Sequence, residues 1–161
     1  IPRATTIIPL FQLADLLGLL STRLGYILAF TSQTLVVAIL LFIGFFIGVP
    51  KEMEHSGLID GCNFWQLFRY IMLPLAKPII GTVTILNAIG AWKAFMIPLV
   101  FTFSRPNLRT LGVGMYAFVG EYTNDWTAMA AGASISIIPV MLVFVLFQRY
   151  FVEGLAGAVK G

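Results

Sequence analysis

Residues 24–49 read LGYILAFTSQTLVVAILLFIGFFIGV, a run without a single charged side chain. A helix needs about twenty mainly apolar residues to cross the hydrocarbon of a bilayer, rising about 1.5 Å per residue, and this run is long enough. Only Thr31-Ser32-Gln33-Thr34 interrupts it with polar groups. The remainder of the chain supports the same solvent. Of 161 residues, 59% are hydrophobic and 11% charged. A soluble domain carries about 25% charged residues to cover its wet surface, so a soluble globular fold is excluded.

Three further apolar segments flank this one. The first, about 4–20, is short and carries Gln12 and Asp15; it reads as the end of a span. The others cover about 79–103, with Asn87, Trp92 and Lys93, and about 128–147, which begins with small residues (Ala130, Ala131, Gly132, Ala133, Ser134). Small residues allow helices to approach closely in lipid. The expected fold is therefore all-α, a polytopic transmembrane helical bundle. It comprises a partial span at 4–20, spans at 24–49, 79–103 and 128–147, a loop at 50–78, a loop at 104–127 and a tail at 148–161. The chain begins Ile1-Pro2-Arg3 without methionine and without the features of a signal peptide, so an N-terminal truncation within a membrane helix is expected.

Lysine and arginine favour cytoplasmic loops. The 50–78 loop and the tail hold Lys51, Arg69, Lys77, Arg149 and Lys160, against Arg23, Arg105 and Arg109 on the other side. This places the 50–78 loop and the tail in the cytoplasm and the 104–127 loop outside. The net charge of +3 is scattered, so no nucleic-acid partner is expected. The lone Cys62 and lone His55 leave no internal disulfide and no expected metal site. No Gly-x4-Gly-Lys-Ser/Thr phosphate loop occurs, so any ATP hydrolysis belongs to another chain.

The 50–78 loop is the most informative region. Pro50 suits a first helical turn, where its missing N–H has no partner to lose. A short helix over 51–58 would stop at Asp60-Gly61, a turn dipeptide. Asn63 can cap a second helix, on which Phe64, Leu67, Phe68 and Ile71 form one apolar stripe before Pro74 and Pro78 end it. Two readings stay open on these residues alone: an interfacial helix pair lying on lipid, or a knob for a partner protein.

At this loop the chain resembles a known family. Gly61, nine residues, then Ile71-Met72-Leu73-Pro74 is similar to the cytoplasmic Glu-Ala-Ala loop of binding-protein-dependent ABC importer permeases, whose pattern is Glu-Ala-Ala, three residues, Gly, nine residues, Ile-x-Leu-Pro. Within that family it resembles the carbohydrate branch, the maltose and glycerol-phosphate permeases. The likeness includes Ile7-Ile8-Pro9-Leu10-Phe11, Leu17-Gly18-Leu19-Leu20, Phe45 to Glu52, Ala91 to Phe95 with Pro98-Leu99-Val100, Gly120-Glu121-Tyr122, Trp126, Pro139, Gln148 to Phe151 and Gly157 to Gly161. Its reach to the last residue implies a genuine C terminus. The triplet falls on His55-Ser56-Gly57, with His55 in place of the glutamate that pairs with a basic group of the ATPase; Glu54 is one residue off and would need a turn of about 100° to replace it. Lys93 and Ala94 stand where asparagine and glutamate are usual.

The resemblance implies a type I permease fold and a multi-pass subunit in the cytoplasmic (inner) membrane, passing a sugar or polyol phosphate. It implies no cofactor on this chain and no catalytic role, with ATP and magnesium held by two partner ATPases. It further implies a second permease subunit, usually a paralogue, and an extracytoplasmic solute-binding protein. The coupling loop would be formed by Glu54, His55, Ser56, Gly57, Asp60, Gly61, Phe64, Leu67, Phe68, Ile71, Leu73 and Pro74. Pro50, Gly61 and Pro74 would set its angles, and Phe64, Leu67 and Phe68 would supply contact at about 1.5–3 kcal/mol per large apolar side chain.

Along the substrate path the candidates are Lys93, Trp92, Asn87 and Gln33, with Arg3 and Gln12 behind them. Lys93 lies near mid-span on this reading, where a lipid-facing ammonium costs about 2.5–3.5 kcal/mol. It would meet a polar cavity and an anionic or hydroxyl group of the substrate, or else pair structurally with Asp15. Trp92 and Phe95 would stack on a sugar ring or simply pack. Asn87 is set off from Lys93 by about 120° around the helix. An intramembrane enzyme would need catalytic polar groups at membrane depth, and neither an acidic pair nor a histidine lies in a span. An ion-coupled secondary transporter is the alternative; it would show broken helices and ionisable relays within the spans.

Overall fold

The computed structural model describes residues 3–102, 104–119 and 124–159, with side chains described from Thr5 to Gln148 outside the gaps. Ile1, Pro2, Gly120, Glu121, Tyr122, Lys160 and Gly161, used in the sequence readings above, lie outside the described residues, as do the side chains of Arg3, Arg149, Tyr150 and Phe151. The fold is all-α. Helix α1 spans Ile7–Leu16, α2 Arg23–Ile47, α3 Lys51–Ile59, α4 Phe64–Leu75, α5 Lys77–Lys93, α6 Met96–Thr102, α7 Leu111–Met115 and α8 Trp126–Val159. Among the described residues the only β-type pairing is one bridge between Val119 and Asn124.

Among the described residues two helices are long and apolar enough to cross a membrane: α2 with 25 residues and the Trp126–Gln148 stretch of α8 with 23. Their apolar side chains point outward, since only 6% of the most apolar window of α2 and none of that of α8 is buried. An uncovered apolar surface of this extent belongs against lipid or other protein. A third candidate arises if α4 and α5, bent by 65°, count as one broken span.

The 79–103 run, expected as one span, is divided into α5 and α6 by Ala94 and Phe95. Pro98 supplies the reason. It has no N–H for the carbonyl of Ala94 four residues back, and its ring would clash with that carbonyl in a continuous helix. Lys93, read as a mid-span residue, is consequently the last residue of α5.

The chain forms two compact units, Ile1–Leu35 with Ala88–Leu142, and Val36–Asn87 with Val143–Gly161. In the first, Ala14, Ala29, Ile97 and Phe101 form the core, with Leu10, Tyr26, Phe30 and Val100 around them. The turn from α1 to α2 is built by backbone geometry. Gly18 has a φ of +65°, which lets the N–H of Leu19 reach the Ala14 carbonyl at 2.8 Å and that of Gly18 reach Asp15 at 2.9 Å. This is a Schellman closure, which a side chain at Gly18 would strain. Thr22 then caps α2, its hydroxyl accepting from the N–H of Gly25 at 3.0 Å. In the second unit the core is Ala76, Ile79 and Val83, covered by Ala38, Leu41, Phe42, Phe45 and Ile80.

Candidate functional site

Each unit carries one candidate site. In the second unit it is the pair formed by α3 and α4. Pro50 opens α3 as its N-cap, with an extended ψ of 132°. At the other end Gly61 has a φ of +80°; its N–H reaches the Leu58 carbonyl at 3.1 Å, and that of Cys62 reaches Gly57 at 3.0 Å. The closure has the same Schellman form, and an L-residue would adopt that φ only under strain. Asn63 then starts α4 with a reciprocal capping box: its side chain accepts from the N–H of Gln66 at 3.0 Å, and its own N–H donates to Gln66 Oε1 at 2.9 Å. Both orphan donors of the helix start are met locally.

The two helices close on Gly57. It is buried, and a β-carbon there would stand 2.5 Å from Ile71 Cδ1 and 2.6 Å from Leu67 Cδ1. Glycine thus lets α3 rest directly on the side chains of α4, and Leu67, 7% exposed, is the buried centre of the contact. Of the expected stripe, Leu67 and Ile71 face inward, whereas Phe64 and Phe68 stay exposed. Ile59 at 86%, Trp65 at 73% and Phe64 at 71% exposed make an uncovered apolar tip. Ile59 entered the sequence reading only as part of the Ile59-Asp60-Gly61 motif and Trp65 not at all; both flank the turn residues that were recognised. Glu54, His55, Ser56 and Asp60 are exposed on α3 and its cap, and the Ser56 hydroxyl donates to the Met53 carbonyl at 3.1 Å.

Within α4 the ladder shifts register. Residues Leu67–Met72 form a π turn, and the N–H of Leu73 reaches the Phe68 carbonyl, five residues back. The α register returns when the N–H of Ala76 meets the Met72 carbonyl at 2.9 Å. Pro74 lies inside this transition and has no N–H to hold either register. Single π turns accommodate one extra residue and concentrate at functional positions. Leu73 and Pro74 are both exposed.

In the first unit a cleft of about 420 Å³ lies at the end of α5, lined by Trp92, Lys93, Leu111, Gly112, Met115, Ser136, Ile137 and Val140. Trp92 is anchored by its indole N–H, which donates to the Ser136 carbonyl at 3.0 Å. Ser136 lies one turn before Pro139, whose missing N–H already deprives the neighbouring Ile135 carbonyl of its partner. Helix α7 lies tightly on α8 at Gly132, where a β-carbon would come within 2.6 Å of Met115 Sδ. Phe95 stacks at a tilt on Tyr116, with ring centroids 5.8 Å apart. Among the described residues no carboxylate, Asp15 included, forms an ion pair with Lys93.

The cleft brings Trp92 and Lys93 together but not the other path candidates. Gln33 is half-buried and donates to the Thr6 hydroxyl at 3.4 Å. Asn87 turns back on its own helix, donating to the Val83 carbonyl at 3.0 Å. No group of three or more histidine, cysteine or acidic side chains able to hold a metal occurs among the described residues.

Comparison with known proteins gives a consistent result. The profile of the binding-protein-dependent transport system inner membrane component family matches residues 2–157. The sulfoquinovosyl glycerol transport system permease protein SmoH of Agrobacterium fabrum is 36% identical over 161 residues, covering 99% of this chain and 56% of the relative. The arabinooligosaccharides transport system permease protein AraQ of Bacillus subtilis is 34% identical over 162 residues, 100% of this chain and 57% of the relative. The melibiose/raffinose/stachyose import permease protein MelC of the same organism is 32% identical over 163 residues, 100% of this chain and 59% of the relative. These relatives are named as transport permeases and not as enzymes, and the chain spans little more than half their length.

Proposed function

This chain belongs to the family of binding-protein-dependent transport system inner membrane components, and from that premise we propose that the full-length protein is a membrane-spanning subunit of an ATP-driven importer that passes a carbohydrate inward across the cytoplasmic membrane. The observation that carries the reading is the α3–α4 pair. It is locked at Gly57, closed by Gly61 and capped by Asn63, and it exposes Ile59, Phe64 and Trp65 at its tip.

A pair built this way behaves as a lever. Its two helices share one buried contact and a turn with no slack, so a push at the tip is delivered to α4 and through the bend at Ala76 to α5. The exposed apolar tip suits a cleft on one of two ATPase subunits, which hold ATP and magnesium and whose closure supplies the stroke. Large apolar and aromatic anchors carry most of the energy of such contacts. The exposed His55 and Glu54 flank this surface and are the polar groups available to an ATPase side chain.

The names of the relatives support an oligosaccharide or glycoside as cargo, within the wider sugar or polyol-phosphate class. A solute-binding protein delivering it and a paralogous second permease complete the assembly. Affinity purification of the full-length subunit from its native membrane, followed by reconstitution of everything recovered with it, tests the reading. ATPase, second permease and binding protein are expected together, with uptake that stops without ATP and survives collapse of ion gradients. A subunit recovered alone, with uptake driven by an ion gradient, would falsify it.

A further inference from the structure

We propose that the cleft at the end of α5 is an anion-accepting subsite: the Lys93 ammonium meets a carboxylate, sulfonate or phosphate group of a glycoside whose sugar ring lies against Trp92. The inference rests on the importer reading and narrows its cargo to acidic glycosides.

Three observations carry it. The cleft, at about 420 Å³, falls within the range of roughly 300–1,000 Å³ usual for small-molecule sites. Lys93 is the only ionisable group among its lining residues, and among the described residues it has no carboxylate partner. Lys93 is the last residue of α5 and is exposed at the cleft, so its ammonium is open to an anion. Trp92 is fixed beside it, since its indole N–H is committed to the Ser136 carbonyl at 3.0 Å. An indole held in this way offers a rigid apolar surface at small entropic cost, suited to the C–H face of a pyranose. The remaining walls, Leu111, Met115, Ile137 and Val140, are apolar and bring no competing charge.

The test uses the purified full-length importer in nanodiscs without its binding protein, titrated with methyl β-glucuronide and with methyl β-glucoside by saturation-transfer NMR. These probes differ only at C6, a carboxylate in the first and a neutral hydroxymethyl in the second. Wild type is expected to bind the glucuronide at least about tenfold more tightly, as a charge-assisted hydrogen bond implies, with a preference that shrinks as salt is raised. Lys93→Met should bring the two affinities to parity, and Lys93→Arg should keep the preference within a few-fold. Equal affinities in wild type would overturn the inference, as would a preference that persists in Lys93→Met. Should Lys93→Met dissociate the complex, the wild-type preference and its salt dependence still decide: their absence would make Lys93 a structural partner of another segment. ATP-driven uptake of a neutral glycoside alone would sink the subsite and leave the importer standing, whereas absence of any ATP-driven uptake would remove both.

Discussion

Gly57 lies so close to Leu67 that a β-carbon at position 57 would stand 2.6 Å from Leu67 Cδ1. The obstructing atoms, Leu67 Cδ1 and Ile71 Cδ1, are the far ends of flexible side chains, so a methyl group can be admitted by small rotations. A branched side chain cannot. Gly57→Ala is expected to keep most uptake. Gly57→Leu should overpack the contact at about 1–3 kcal/mol and reduce uptake about tenfold or more at unchanged membrane abundance. Uptake assayed beside an abundance blot separates the outcomes, and full activity in Gly57→Leu would show that the helix pair need not stay closed.

Gly61 poses the opposite case, because nothing lies within 4 Å of the place where its β-carbon would sit and only its φ of +80° restricts it. Substitution therefore strains backbone and not packing, by about 1–2 kcal/mol for a left-handed residue. Asparagine tolerates that conformation better than alanine does. Uptake should fall in the order glycine, asparagine, alanine. Gly61→Leu should match alanine if strain is the whole cost and fall well below it if the surface at Gly61 must fit a partner cleft.

These two glycines mark where the amino-acid sequence is legible. The turn at Asp60-Gly61 and the cap at Asn63 are local chemistry, and each was readable without a fold. Gly57 was placed only by its position in the motif, because its role depends on two side chains ten and fourteen residues away. Which of Phe64, Leu67, Phe68 and Ile71 turn inward was equally hidden. An apolar stripe shows that a helix has a face, but not how much of it a neighbour covers, and the π turn over Leu67–Met72 shifts that face by an extra residue. The break at Ala94–Phe95 escaped a reading by hydropathy, since both residues are apolar; Pro98 was its one visible signal.

Ile59 and Trp65 carry the third prediction. Both are more than two-thirds exposed on the tip of the helix pair, so replacing them costs the folded subunit little. At a docked interface a buried tryptophan is worth about 2 kcal/mol or more, roughly thirtyfold in affinity. Ile59→Asp and Trp65→Ala should each reduce the ATPase recovered with the tagged full-length subunit while leaving its membrane insertion intact. Undiminished recovery in both variants would move the docking surface away from this tip.

The reciprocal bonds between Asn63 and Gln66, at 3.0 and 2.9 Å, predict a coupled loss. Asn63→Ala removes the cap and should cost about 1 kcal/mol. Gln66→Ala should cost less, because it leaves the Asn63 side chain in place. The double variant should then cost less than the two singles together, since either change disrupts the same box. Amide exchange over residues 64–67 of the full-length protein measures this directly: faster exchange in Asn63→Ala, a smaller rise in Gln66→Ala, and little further change when they are combined. Strictly additive rates would mean that the two side chains cap the helix independently, and that the turn holding the lever's angle is set by Gly61 alone.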